Sequence, residues 1–156
     1  MSVHDLGLDL DAMVAVAVAE AFTGLEEGGV PIGAALFDVG GNLIGKGHNR
    51  RVQHDDPSSH GETDAFRNAG RQATYRDKIL VSSLTPCYYC SGLIRQFGIP
   101  TLIVAESTNS PSGGGVPWLA EYGVEVVQFQ VPELIEMFRT WTEANPEIWA
   151  EDAGMT

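Results

Sequence analysis

Four side chains in two short segments could do chemistry together: His60 and Glu62, then Cys87 and Cys90 behind Pro86. An imidazole nitrogen and two thiolate sulfurs form a set of zinc donors. Three protein ligands leave the fourth tetrahedral position open, which separates a catalytic zinc from a structural one. Zinc lowers the pKa of a bound water from about 15.7 to about 7, so hydroxide is available at neutral pH. Two thiolates cancel the ion's charge, so a general base is still needed. Glu62 is too near His60 to bind the same ion with good geometry, yet it reaches the fourth ligand. It reads as a proton shuttle between that water and a leaving group.

The cysteine pair by itself leaves other readings open. Its spacing also suits a redox dithiol or a disulfide, and a fourth donor would make a structural zinc site. The redox reading leaves His60 and Glu62 without a role, and the other histidines complete a ligand set poorly. A serine nucleophile at Ser82 or Ser83 lacks the surrounding elbow motif. His54 beside Asp55 and Asp56 reads as a solvated loop residue, and His4 as part of a disordered start.

Positioning the four groups takes two helix amino ends that face each other. Residues 60–69 read as a helix with Ala65, Phe66 and Ala69 on one stripe and Gly70 at its end. Pro86 opens a second helix over 87–97, which Gly98 stops. Cys87 and Cys90 share a face of its first turn, where the helix dipole favours thiolates. Upstream, 10–27 reads as a helix capped by Asp9 and ended by Gly28-Gly29. Residues 12–19 are apolar all round, so this helix is expected to be buried on more than one face.

Residues 32–37 and 43–47 flank Gly40-Gly41-Asn42 as a hairpin, and 48–59 reads as a loop. Further strands fall at 79–82, 101–105 and 124–129. A Ser/Gly/Pro loop at 107–115 precedes a short helix at 117–122. A longer helix at 132–145 turns Leu134, Ile135, Phe138 and Trp141 inward. Trp118 and Trp141 read as core. Tyr88 and Tyr89 read as one core residue and one at the site or a dimer surface. Strands alternating with helices give one three-layer α/β/α domain over 1–156 with a mixed five-stranded sheet. Residues 1–8 are expected to be flexible, and 146–156 to be a tail docked through Trp149.

A chain of 156 residues, 44% hydrophobic and 19% charged, can bury a real core. Its net charge of −12, from 21 acids against 9 bases, disfavours partners bound through phosphates, such as tRNA or DNA. Arg50, Arg51, Arg67, Arg71 and Arg76 supply the candidates for a basic patch. A small uncharged substrate suits the charge better. No run of about 18 apolar residues marks a membrane span, and no basic segment before an apolar one marks a signal peptide. The expected location is the cytoplasm, with neither membrane nor nucleic acid as partner.

His-x-Glu followed by Pro-Cys-x-x-Cys is the signature of the zinc nucleobase deaminases. From about residue 16 to 152 the chain resembles the fungal-type cytosine deaminases, within the cytidine deaminase-like fold. EEGGVPIG at 26–33, GKGHN at 45–49, HGE at 60–62, PCYYC at 86–90 and WAED at 149–152 carry the resemblance. The central motif is common to many deaminases, whereas a C-terminal Trp-x-x-Asp is much narrower. The resemblance implies zinc bound by His60, Cys87 and Cys90, with Glu62 shuttling protons. It implies Asn49 and the Gly61 backbone on the pyrimidine edge, Asp152 on the exocyclic amine, and Ile32 and Trp149 as apolar walls.

It further implies a homodimer, a C-terminal lid at 146–156, and conversion of cytosine to uracil and ammonia in pyrimidine salvage. One departure stands out. Where the family closes the pocket with a phenylalanine, this chain has Ser110. A wider site follows, and with it an alternative substrate class of isoguanine, guanine or amino-triazines. Deamination of tRNA adenosine would need a basic surface. The alternative outside catalysis is a zinc-stabilised interaction module with no open metal position.

Overall fold

The structure is a computed structural model that describes residues 2–110 and 113–156. Strands β1 (Gly33–Asp38) and β2 (Leu43–His48) form the expected hairpin. β1 also pairs antiparallel with β3 (Lys78–Leu84), which runs parallel to β4 (Thr101–Glu106), and β4 runs parallel to β5 (Glu125–Gln128). The order is β2-β1-β3-β4-β5, a mixed five-stranded sheet. The helices are α1 (Leu10–Glu26), α2 (Arg51–His54), α3 (Gly61–Ala69), α4 (Tyr88–Phe97), α5 (Val116–Glu121), α6 (Pro132–Ala144) and α7 (Pro146–Asp152).

Successive strand residues point to opposite faces. Phe37, Val81 and Ile103 pack with Met13, Val14 and Ala17 of α1 and Leu134 of α6. Their neighbours Leu36, Leu80 and Leu102 pack on the other face with Phe66 of α3, Ile94 of α4 and Leu119 of α5. The three layers follow from that alternation. A third cluster at one end joins Val30, Ile32 and Leu84 to Phe138, Trp141 and Trp149.

Because β1 runs against both neighbours, its amino end lies beside the carboxyl ends of β2 and β3. Ile32, Asn49 and Leu84 therefore reach one edge of the sheet. Glycines bring α3 to that edge. A Cβ at Gly45 would lie 2.5 Å from the Ala69 nitrogen and 2.7 Å from the Ala65 oxygen. Only a bare backbone lets helix and strand come this close.

Several expectations need correction. Within this chain α1 lays one face on the sheet and leaves Ala12, Ala15 and Ala19 exposed, so the second contact expected of it is not made by another element among the described residues and is left to the expected partner subunit. Segment 48–59 contains the single turn α2, ended by Asp55 at φ 50°. Residues 2–6 are fastened rather than flexible: Val3 is buried and its N–H donates to Glu125 Oε1 at 2.8 Å, with the Ser2 hydroxyl on the same carboxylate. His4 thus sits in an ordered 3-10 turn, Val3–Leu6. Residues 146–152 are helical, since Pro146 suits a first helical position. Trp141 is buried as expected, but Trp118 only half.

Gly45→Ala is expected to destabilise the fold by about 1–3 kcal/mol, the usual cost of forcing a methylene into packed structure. Urea unfolding at an unchanged m-value measures it. Gly92→Ala on α4, where nothing lies within 4 Å, is the matched control and should be neutral or mildly stabilising.

Candidate active site

His60 is the N-cap of α3 and Cys87 the N-cap of α4, each in extended backbone. The sequence reading put both inside their helices. One residue earlier, each side chain is free to turn across the helix end. The His60 amide is satisfied by Thr63 Oγ1 at 2.9 Å. The donor atoms of His60, Cys87 and Cys90 lie within 4.8 Å of one another, and His60 Nδ1 is 3.7 Å from Cys87 Sγ. Tetrahedral zinc sets nitrogen and sulfur ligands about 3.5 Å apart. Number, element type and spacing all fit zinc. No fourth His, Cys, Asp or Glu joins the group among the described residues, and both cysteines are free thiols.

A hydrogen bond from Cys90 pulls the Cys87 thiol down to about 4; burial opposes this and His60 assists. The same pairing, with burial, pushes Cys90 well above the ordinary thiol range. Burial pulls His60 down, but pairing with Cys87 and the charges of Glu62 and Asp152 outweigh it and leave it raised. Glu62 is 3% exposed and its Oε1 accepts from Ser82 Oγ at 2.7 Å. Burial raises its proton affinity, the Cys87 charge adds, and His60 and Ser82 oppose.

A cavity of about 350 Å³ opens at this edge of the sheet. Ile32, Asn49, His60, Gly61, Glu62, Cys87, Ser110, Trp149 and Asp152 all stand on its wall. Cys90 is fully buried and not on the wall. Asn49 is fixed on every side. Its N–H donates to Ile32 O at 2.8 Å, its Oδ1 accepts from Arg51 N–H at 3.0 Å, and its Nδ2 donates to Asp152 Oδ1 at 3.0 Å. Burial raises Asp152, against the pull of His60, Asn49 and Arg51. Trp149 meets Phe138 edge-on at 5.0 Å, which seats α7 on α6.

Other residues of the site were missed. Asp64 is buried and accepts from His48 N–H, Arg50 Nε and Arg67, tying α3 to the turn after β2. His48 lies buried between Glu20 at 3.1 Å and Glu27 at 2.7 Å. Arg51 reaches Glu151 at 3.4 Å and Asp152 at 3.5 Å. The Asp64–Arg67 spacing was visible in sequence; the other partners meet only in the fold. Neither tyrosine of the Cys-Tyr-Tyr-Cys segment is core: Tyr88 is 69% and Tyr89 48% exposed. Tyr88 lines the cavity, and Tyr89 stands edge-on to His60 at 5.0 Å. His54 is exposed, as expected.

Known proteins with this arrangement define its class. The family model of the cytidine and deoxycytidylate deaminase zinc-binding region matches residues 9–106. The chain is 36% identical over 141 residues to a cytosine deaminase of Candida albicans, spanning 89% of this chain and 93% of that one. It is 36% identical over 83 residues to a tRNA-specific adenosine deaminase of Haemophilus influenzae, spanning 51% of this chain and 48% of that one. A solved tRNA:A34 deaminase superposes with TM-score 0.67 at 26% identity, over 77% of this chain and 98% of the other. A guanine deaminase from Nitrosomonas europaea gives TM-score 0.70 over 85% and 84%, and at 21% identity it speaks to the fold alone. The chain belongs to the cytidine and deoxycytidylate deaminase zinc-binding family. It is an enzyme of the deaminase class, with zinc as its cofactor.

The cysteine pairing has a chemical test. Cys87 stays a thiolate above about pH 4. Metal-stripped protein should therefore alkylate at Cys87 at nearly the same rate at pH 6 and pH 8. A free cysteine slows on the order of a hundredfold over that interval. Cys90 should resist, and added zinc should block both. Peptide mass spectrometry reads each site, and a free-cysteine pH profile at Cys87 would contradict the pairing.

Proposed function

We propose that this enzyme hydrolyses the exocyclic amine of a free nucleobase, converting cytosine and water to uracil and ammonia. The observation that supports this most is the convergence in one cavity of metal donors, a buried carboxyl and the Asn49–Asp152 pair. These come from distant parts of the chain. Identity to a cytosine deaminase across most of both chains points the same way.

In this reading His60, Cys87 and Cys90 hold zinc. Zinc, when bound, supplies a Lewis acid that makes water a nucleophile near neutral pH. Glu62 accepts one proton from that water and passes it to the ring nitrogen beside the reacting carbon; it then takes the second proton from the hydroxyl now on that carbon and delivers it to the departing amine, leaving an oxo group. Its burial excludes bulk water as a competing donor. Asn49 and the Gly61 backbone meet the pyrimidine edge, and Asp152 accepts from the exocyclic amine. Ile32 and Trp149 pack on the ring faces. Helix α7 acts as a lid, with Arg51 holding its acidic end. We further propose a homodimer working in the cytoplasm, in pyrimidine salvage.

A second reading has its own support. The cavity of about 350 Å³ exceeds what one six-membered ring fills, and Ser110 and Gly114 put no large side chain on its wall. This favours bicyclic or more polar rings, such as isoguanine, guanine or amino-triazines. Against tRNA as substrate stand the net charge of −12 and the pairing of Arg50, Arg51 and Arg67 with acids of this same chain.

Ammonia release from purified, zinc-loaded enzyme tests both readings, with kcat/KM compared over cytosine, isoguanine, guanine and amino-triazines. Cytosine should lead; a purine in front would favour the second reading, and no turnover of any base would leave the interaction module. Glu62→Ala should keep zinc and fold yet lose at least the 10²–10⁴-fold typical of general acid–base catalysis. Normal turnover by that variant would remove Glu62 from the mechanism. Light scattering of the eluting protein should give twice the chain mass; a monomer would withdraw the dimer.

A further inference from the structure

We propose that Ser82 is a positioning residue for proton transfer, acting on substrate only through Glu62. This rests on the reading of Glu62 as the proton shuttle. Strand β3 is apolar through Ile79, Leu80 and Val81, and then carries two serines with almost no exposure. A buried hydroxyl costs free energy unless it is hydrogen-bonded, so each needs a partner. Ser83 has a backbone one: its Oγ accepts from Gly33 N–H at 2.9 Å, where β1 begins. That explains Ser83 as structure.

Ser82 points to the other face and meets the catalytic carboxyl. Its Oγ lies 2.7 Å from Glu62 Oε1 and 2.7 Å from the Leu84 carbonyl oxygen. A serine hydroxyl has one proton to donate. It can donate to Oε1 when Glu62 is ionised, and donate to the Leu84 carbonyl while accepting from Glu62 when Glu62 is protonated. Two consequences follow. The carboxyl plane is fixed from the strand side, with the Leu84 carbonyl holding the hydroxyl in place. Oε1 keeps a further lone pair, so the bond orients the carboxyl without withdrawing either oxygen from proton transfer. A carboxyl free to rotate about its terminal bond would present either oxygen and would lose the alignment that proton transfer requires.

The test compares Ser82→Ala, Ser82→Val and Ser82→Thr in zinc-loaded enzyme, using the base that wild type turns over fastest. Threonine keeps the hydroxyl, and valine has its shape without one. Ala and Val are expected to lower kcat about ten- to a hundredfold, the worth of a hydrogen bond to a charged group. KM and zinc content should stay near wild type, Ala and Val should lower Tm by several degrees because they strand two buried acceptors, and Thr should recover most of the rate. A second measurement needs no turnover. A double-mutant cycle of Ser82→Ala with Glu62→Ala in urea unfolding should be non-additive, because the two side chains touch. Unchanged kcat in Ser82→Ala overturns the proposal, as does a loss shared by Thr and Val alike. So do additive unfolding energies. Should the β-branched variants fail to fold, Ser82→Ala and the cycle decide. If Glu62→Ala itself stays active, the shuttle reading has failed; if it is dead while Ser82→Ala is normal, only this inference has.

Discussion

Asp64 carries a charge inside the protein, and the shape of the site follows from how that charge is satisfied. A buried carboxylate without donors costs several kcal/mol. Here it accepts from His48 N–H at 3.0 Å, Arg50 Nε at 2.9 Å and Arg67 at 3.0 Å. His48 ends β2 and Arg50 lies in the turn that follows it; Arg67 is on α3 itself. The charge can be solvated by protein only if the first turn of α3 sits against that turn. The first turn of α3 carries Glu62 just after His60, and the turn after β2 carries Asn49. Bare backbone at Gly47, where a Cβ would lie 2.5 Å from Asp64 Oδ2 and 2.7 Å from the Ala65 nitrogen, permits the approach. His60 and Asn49 therefore cannot drift apart without stranding a buried charge.

The chemistry was legible in sequence because it is local. His60 and Glu62 are two apart, Cys87 and Cys90 three apart, and Pro86, Gly70 and Gly98 punctuate the helices that bear them. The hairpin and the strand positions were legible for the same reason. What failed depended on distant partners. Residues 2–6 are ordered by Glu125, more than 100 positions away. His48 is held by Glu20 and Glu27 from another element. Alanine-rich 12–19 gave no sign of which face would be covered, since alanine is nearly neutral about exposure. Pro146 ended one helix, as expected, but it also began another. Nothing local distinguishes a break from a restart; the seating of Trp149 on Phe138 does.

The arginines illustrate how charge counts in sequence can mislead about surfaces. Arg50 and Arg51 are adjacent and look like a basic patch. In the fold they diverge: Arg50 serves Asp64 and Glu27, and Arg51 serves Glu151 and Asp152. One bonds the site's floor and the other its terminal helix. Both are spent on architecture, so neither is a free cation for an outside phosphate, while the net charge stays at −12.

The same accounting explains the acid groups in the cavity. Cys87, Glu62 and Asp152 share one wall; burial raises both carboxyls, and the Cys87 charge adds to it. His60 is raised in turn because it faces all three. A divalent cation among His60, Cys87 and Cys90 inverts that local logic. Both sulfurs become thiolates, and their two charges cancel the ion's. Glu62 then faces a centre with little net charge. What remains to tune it is its own burial, which favours the protonated form, set against the Ser82 hydrogen bond, which favours the ionised one. A carboxyl shifted in that direction binds a proton more firmly than an exposed one, yet still releases it. That balance is what a residue must have to take a proton from water and give it up again within one turnover.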